Sequence, residues 1–312
     1  MKQLYILDPF EKLHITSDTS ILLMNEALHR GHEVYSCTEF DISRSRASTS
    51  CLARHHRNEI GESIRLSSLT ETRYNLESFD VILIRKDPPF DESYLILLLL
   101  LVDIRGPRII NKPLSLLRYN EKLSIFLFPE FITETIVTSS LSRIIRFVTE
   151  VGGTVVLKPL YSCSGKDVEL LLATDPGLKE IILSATGNET RKIMIQRYLP
   201  EVTAGETRIF MLGDSPLAVM KKIPAPGSFK ANFDFGAHGA PHILTEKEGE
   251  ISRAVGAFCS EEDIVLSALD IIAGHLSEFN ITSPGLLAES NQVDNVHYEE
   301  PIIQFLANQS RK

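Results

Sequence analysis

No apolar run in these 312 residues approaches the roughly 20 that span a bilayer. The longest, residues 95–102, reads instead as a buried helix. The chain passes from Met1-Lys2 into a short apolar stretch, residues 4–7, and meets Asp8 at once, which is too little for a signal peptide. A cytoplasmic protein without membrane contact is expected. Cysteine is scarce, and Cys37, Cys51, Cys163 and Cys259 lie far apart without C-x-x-C spacing, so they read as reduced thiols rather than a metal or redox centre. Basic residues are not in excess. The net charge of −9 argues against a nucleic-acid binder, which needs a basic patch to displace counterions. Internal repeats and low-complexity tracts are also missing. What remains, 43% hydrophobic and 23% charged, is ordinary globular composition with enough length for one large or two medium domains.

Residues 4–7 read as a buried strand, Ser17-Asp18-Thr19-Ser20 as a helix N-cap before Ile21, Leu22, Met24 and Leu28, and Gly31 as the stop. Strand character resumes at residues 33–37. That strand, helix, strand order is a βαβ unit and implies a parallel sheet. Residues 43–76 are polar and Ser-rich, and a loop or a poorly ordered hairpin is expected there. Residues 79–84 form the next buried strand and run into the charged, Pro-stiffened Arg85-Lys86-Asp87-Pro88-Pro89-Phe90-Asp91. Loops after the carboxyl ends of parallel strands are where ligands bind. Beyond a boundary near residues 120–128, strands are expected at 154–159 and 193–196, with a hairpin over 208–222. Thr245 and Glu248 have capping-box spacing ahead of a helix.

The most telling stretch is Leu269-Asp270-Ile271-Ile272-Ala273-Gly274-His275-Leu276-Ser277-Glu278-Phe279-Asn280. It reads as a hairpin in which Glu278 and Asn280, two apart on one strand, share a face. A three-residue loop, Ala273-Gly274-His275, places Asp270 opposite Glu278, with Cβ atoms about 4.5–5.5 Å apart. Two carboxylates and an amide with room for water and phosphate suit a hard cation such as Mg²⁺. Taken alone, the same spacing also describes an acidic, solvent-facing hairpin. Lys158, at the end of an apolar strand where it would present its ammonium to a cleft, and Lys122, before an apolar segment, each read on their own as snorkelling surface lysines.

Together these blocks make the chain resemble the prokaryotic-type glutathione synthetases of the ATP-grasp superfamily. The matching segments are Arg85-Lys86-Asp87-Pro88-Pro89-Phe90-Asp91, Asn111-Lys112-Pro113 with Asn120-Glu121-Lys122-Leu123, Leu157-Lys158-Pro159-Leu160, residues 196–200, and Leu269-Asp270-Ile271-Ile272 with Glu278-Phe279-Asn280-Ile281-Thr282-Ser283-Pro284. The resemblance implies an α/β ATP-grasp fold behind an N-terminal parallel-sheet domain. It divides the chain into residues 1–121 and 122–312, the latter into a lid subdomain at about 125–190 and a metal- and nucleotide-binding subdomain at 191–312. By the same resemblance, ATP phosphates fall to Lys122, Lys158 and Gly165, adenine to Gln196, Tyr198 and Leu199, and the nucleotide's acidic neighbour is Glu206. Asp270, Glu278 and Asn280 become ligands of Mg²⁺, with Mn²⁺ as the alternative metal, and Arg208 faces the γ-phosphate and the acyl phosphate. Substrate contacts fall to Ser17, Asp18, Arg85, Lys86, Asp87, Lys222, Lys230 and Ser283.

The implied activity is ATP-dependent joining of γ-glutamylcysteine to glycine through an acyl phosphate, releasing ADP and phosphate, in a homo-oligomer. The chain departs from the family pattern in places. The loop after the strand lysine, Tyr161-Ser162-Cys163-Ser164-Gly165-Lys166, is poor in the glycines that let backbone N–H groups approach phosphate. That loop also reads as a plain turn. Lys222 and Lys230 stand where the family uses arginine, which keeps charge but loses the bidentate fork. His238 and Gly285-Leu286-Leu287 also differ. Two alternatives therefore stand beside the first reading: an ATP-grasp ligase for another γ-glutamyl peptide or amino acid, and a catalytically weakened ATP-binding homologue.

Overall fold

The computed structural model describes residues 1–57, 60–61, 71–161 and 167–309. Its first sheet contains β1 (Lys2–Ile6), β2 (Glu33–Cys37), β3 (Ile42–Arg44), β4 (Thr49–His56), β5 (Glu71–Asn75), β6 (Val81–Ile84) and β7 (Arg108–Ile110), in the order β3-β4-β2-β1-β6-β7 with β5 also paired to β4. The run β2-β1-β6-β7 is parallel, as the βαβ reading requires. Helix α1 (Thr19–His29) supplies the first crossover, and Asp18 caps it by accepting from the Ser20 amide at 2.7 Å. Helices α2 (Glu92–Leu101) and α3 (Pro113–Arg118) flank the later strands.

Two expectations are corrected here. The polar stretch 43–76, where it is described, takes the hairpin alternative and not the loop, and it is part of the sheet: β3, β4 and β5 extend it in antiparallel pairs. Its inward positions on β4 are small, with Cys51 and Ala53 fully buried, so alternation exists but carries little hydrophobic signal. Residues 58, 59 and 62–70 lie outside the described residues. The apolar run at 95–102 is only half buried. Tyr94, Leu97, Leu98 and Leu101 face the core, whereas Leu95, Ile96 and Leu99 are 39%, 49% and 51% exposed, because a helix laid on a sheet buries one stripe.

A second, antiparallel sheet holds β8 (Thr135–Thr138), β9 (Thr154–Pro159), β10 (Glu169–Leu172) and β11 (Ile193–Arg197) in the order β10-β9-β11-β8. It is backed by α4 (Leu141–Glu150) and α5 (Leu178–Ala185). Ile144, Phe147 and Val148 follow helical spacing on α4 and pack with Val155, Leu157 and Ile182 into a separate core. Burial of each such side chain contributes about 1.5–3 kcal/mol. The third sheet runs β14-β13-β12-β15-β16, from β12 (Glu206–Leu212), β13 (Ser215–Ile223), β14 (His238–Pro241), β15 (Leu266–Ile272) and β16 (His275–Asn280), with α6 (Glu246–Glu262), α7 (Leu287–Asp294) and α8 (Glu299–Gln309). Thr245 and Glu248 do form a capping box on α6.

The first and third sheets share their cores, Ile82 and Ile84 clustering with Leu269, Ile271 and Phe279. Asn111, just past β7, pins the joint with four bonds. Its amide donates to the carbonyls of Leu266 and Ile281 at 2.6 and 2.7 Å. Its oxygen accepts from the amides of Val265 and Leu266 at 2.7 and 2.9 Å. Arg108 pairs with Asp263 alongside. No helix among the described residues is long and apolar enough to cross a membrane.

Candidate active site

The β15–β16 hairpin turns through Ala273 and Gly274, both left-handed with φ of 49° and 76°. That is the two-residue geometry whose twist matches flanking strands. Ile272 therefore pairs with His275, not across a three-residue loop, and Ile271 pairs with Leu276. Ser277 is then an extra residue, a β-bulge that restores the pairing of Asp270 with Glu278. The expected register is present, reached through a shorter turn plus a bulge. The bulge also aims Ser277 at Lys158.

Lys158, at the end of β9, donates from Nζ to Gln196 Oε1 at 2.8 Å and to Ser277 Oγ at 2.9 Å. Desolvation lowers its pKa, against the opposing pull of Glu278 and Glu206. Lys122, just ahead of a 3-10 turn at Leu123–Leu127, is buried and pairs with Glu278 Oε1 at 3.1 Å. Asp270 is 4% exposed. Its Oδ2 accepts from Arg208 at 2.6 Å and from the Asn280 amide at 3.0 Å, and its Oδ1 lies 2.7 Å from Lys222 Nζ. Burial works to raise the Asp270 carboxyl, but Arg208 and Lys222 outweigh it and hold the group below the usual carboxylate range. Lys222 also reaches Glu206 Oε2 at 3.0 Å. Burial nonetheless raises Glu206.

This cluster sets four cations (Lys122, Lys158, Arg208, Lys222) against three carboxylates (Glu206, Asp270, Glu278). The cluster's own balance thus favours an anionic ligand. It lines a cavity of about 330 Å³ opened between the second and third sheets. One wall is apolar, with Val156, Ile272 and Leu276, and beside it Tyr198 meets Phe229 edge-on at 6.3 Å. The far end is closed by Asp87, Pro88 and residues 283–286.

Asp270, Glu278 and Asn280 present hard oxygen donors from adjacent strands, and Arg208 and Lys222 keep the Asp270 carboxyl ionised and so able to ligate. The set fits a hard divalent cation. Among the described residues no three His, Cys, Asp or Glu side chains converge closely enough to hold a metal ion by themselves, so such a cation would complete its shell with the Asn280 amide and ligand or water oxygens.

Fourteen of the expected residues line this cavity: Lys122, Lys158, Gln196, Tyr198, Leu199, Glu206, Arg208, Asp270, Glu278 and Asn280, with Asp87, Lys222, Lys230 and Ser283. Lys222 sits between Asp270 and Glu206. Lys230 Nζ lies 4.4 Å from the Phe235 ring centroid. Ser17, Asp18, Arg85 and Lys86 are not brought to the lining. Ser17 is in the turn before α1, and Asp18 caps that helix. Arg85 is buried behind the cavity wall, donating to Ser20 Oγ at 3.1 Å and to the Pro284 carbonyl at 3.0 Å. Lys86 is held by Asp8 and Glu39 at 3.3 and 3.0 Å. Gly165, with the rest of the glycine-poor loop at 162–166, lies outside the described residues. The sequence assigned no role to Ser277, Phe229, His275 or Glu121; His275 and Ser277 lie inside the hairpin stretch and Glu121 inside a matched segment, but the bulge at Ser277 and the place of Phe229 had no sequence signal.

Two family models match the chain: the prokaryotic glutathione synthetase N-terminal domain over residues 1–117 and the prokaryotic glutathione synthetase ATP-grasp domain over residues 121–295. A glutathione synthetase of Parasynechococcus marenigrum is 34% identical over 286 residues, covering 91% of this chain and 92% of that protein. One from Gloeobacter violaceus is 32% identical over 329 residues, covering 100% and 98%. Among solved structures, D-cycloserine synthetase DcsG superposes with a TM-score of 0.68 at 14% identity over 97% of this chain and 99% of that one. The macrocyclase MdnC of Microcystis aeruginosa, bound to its precursor peptide, gives 0.68 at 13% identity over 99% and 100%. At such low identity these two likenesses speak for the fold alone.

Proposed function

The chain belongs to the prokaryotic glutathione synthetase family, ATP-dependent ligases of the ATP-grasp superfamily, and from that premise we propose how its cavity performs the reaction. The activity is the ATP-dependent condensation of γ-glutamylcysteine with glycine. The observation that carries the residue assignment is the Asp270, Glu278 and Asn280 set, paired in register on β15 and β16 and flanked by Lys122, Arg208 and Lys222.

An anionic carboxylate attacking an anionic γ-phosphate is opposed by charge, so the site must cancel that charge before chemistry begins. Lys122 and Lys158 hold the ATP phosphates, and Arg208, 2.6 Å from Asp270, stabilises charge developing on the transferred phosphoryl group. Residues 196–199 hold adenine through the backbone, beside the Tyr198–Phe229 edge. Asp270, Glu278 and Asn280 would hold a divalent cation, Mg²⁺ with Mn²⁺ as the alternative, which would supply neutralisation of phosphate charge. Asp87, Lys230 and Ser283 face the peptide and glycine. The dipeptide carboxylate forms an O–P bond to the γ-phosphorus as the P–O bond to ADP breaks; the glycine amine then forms the C–N bond as the C–O bond to phosphate breaks, its proton leaving with the released phosphate. The apolar wall keeps water from the acyl phosphate. Residues 1–121 act as the unit that closes the substrate end, and the reaction runs in the cytoplasm.

Glu278→Gln tests the assignment. At limiting Mg²⁺ its turnover is expected to fall at least tenfold, with partial recovery at high Mg²⁺. Unchanged turnover at limiting Mg²⁺ would remove Glu278 from the metal set.

A further inference from the structure

Glu121 is a cavity-lining carboxylate with no part in the chemistry above. Its Oε1 accepts three hydrogen bonds, from the Ile281 amide at 3.1 Å, the Thr282 amide at 3.0 Å and the Thr282 hydroxyl at 2.6 Å. Its own carbonyl accepts from the Phe279 amide at 3.1 Å. One residue therefore binds the chain on both sides of Asn280. The next residue is Lys122, whose ammonium reaches Glu278, and the preceding Asn120 fixes that turn by accepting from the Lys122 and Leu123 amides, both at 3.0 Å.

The segment 120–122 thus runs along the end of β16 as a splint. Downstream of Thr282 the chain becomes the 283–286 wall of the cavity. Burial and the nearby Glu278 push the Glu121 carboxyl up, while the Thr282 donors and Lys122 pull it back toward the ionised form; hydrogen bonds to a charged acceptor are roughly twice as strong as to a neutral one, so the carboxylate matters beyond its shape. We propose that Glu121 is a positioning residue that locks the phosphate lysine Lys122 to the metal ligands Glu278 and Asn280, and so makes nucleotide and metal binding cooperative. The inference rests on reading this cavity as the ATP site. Glu121 touches no reacting atom. It determines whether a phosphate held by Lys122 and a cation held by β16 sit at the spacing that lets each favour the other, which is a coupling free energy between two sites.

The test is the affinity of the full-length protein for a non-hydrolysable ATP analogue by calorimetry, with chelator and again with saturating Mg²⁺. The ratio of the two constants is the coupling. In the wild type, Mg²⁺ is expected to tighten the analogue at least thirtyfold. Glu121→Gln is expected to lose at least tenfold of that ratio (about 1.4 kcal/mol), while its metal-free affinity stays within twofold and its melting temperature stays close to wild type. Thr282→Val, which removes one donor and leaves the charge, should lose about threefold and serves where Glu121→Gln folds poorly. An unchanged ratio in both variants, or equal weakening with and without Mg²⁺, overturns the inference and leaves the ATP site standing. Binding without coupling in the wild type overturns the inference alone, and absence of analogue binding overturns both.

Discussion

Asn111→Ala removes four buried hydrogen bonds at the joint between the first and third sheets without touching the cavity. The substitution strips the acceptor from the Val265 and Leu266 amides and the donor from the Leu266 and Ile281 carbonyls. A buried backbone group left without its partner costs roughly 1–3 kcal/mol, and carbonyls, with two lone pairs, tolerate it better than amides. Two orphaned amides and two weakened carbonyls sum to about 3–5 kcal/mol. At roughly 2–3 °C per kcal/mol for a chain of this size, the melting temperature should drop by about 6–15 °C. Because Ile281 adjoins Asn280, turnover should fall as well. Asn111→Asp sharpens the test. It keeps both acceptor contacts but, when ionised, turns an oxygen toward two carbonyls in a buried site. Its folded-state pKa is therefore raised, and its deficit relative to wild type should be smallest at acid pH and grow as pH rises above the unfolded carboxyl's value near 4. Differential scanning calorimetry at several pH values reads both effects. A melting temperature for Asn111→Ala within 2 °C of wild type would refute the reasoning.

His56 is buried on β4 with Nε2 2.8 Å from Ser36 Oγ, and burial, with Arg54 and His55 nearby, lowers its pKa from 6.5 to about 4. Between those values the unfolded chain binds a proton the fold refuses, so this contribution is fully present above the unfolded pKa and is lost as pH falls. About 2–3 kcal/mol should disappear between pH 7 and 4.5. Urea midpoints should show that slope, flattened in His56→Gln; an equal slope in both proteins would contradict it. Lys158→Met keeps the side-chain length but leaves Gln196 and Ser277 without their ammonium partner. Loss of one phosphate contact of roughly 2.5–4 kcal/mol should cut kcat/KM for ATP by about 10² to 10³, with the peptide KM nearly unchanged. A change under threefold would exclude Lys158 from the phosphate site.

The sequence made the parallel strands and the hairpin legible because their apolar runs and carboxylate spacing are local patterns. Asp270 opposite Glu278 could be anticipated, whereas the compensating two-residue turn and Ser277 bulge could not, since either route gives the same pairing. Strands β3 to β5 were hidden because Cys51 and Ala53 fill their core with small side chains. Partnerships were harder than positions. Charge and spacing alone do not reveal that Lys222 lies between Glu206 and Asp270, that Lys86 is taken up by Asp8 and Glu39, or that Arg85 supports Pro284 from behind. Each depends on which sheet ends the fold brings together. Glu121 escaped notice for the same reason, because its partners lie 160 residues away in the chain.

The central claim is that this cavity couples ATP cleavage to amide formation between a γ-glutamyl dipeptide and an amino acid. ADP release from Mg-ATP with γ-glutamylcysteine and glycine, each omitted in turn and the product weighed by mass spectrometry, tests it most directly. The account predicts steady release only with both substrates and a product with the mass of the tripeptide. ATP binding without release, or release only with other acceptors, would contradict it.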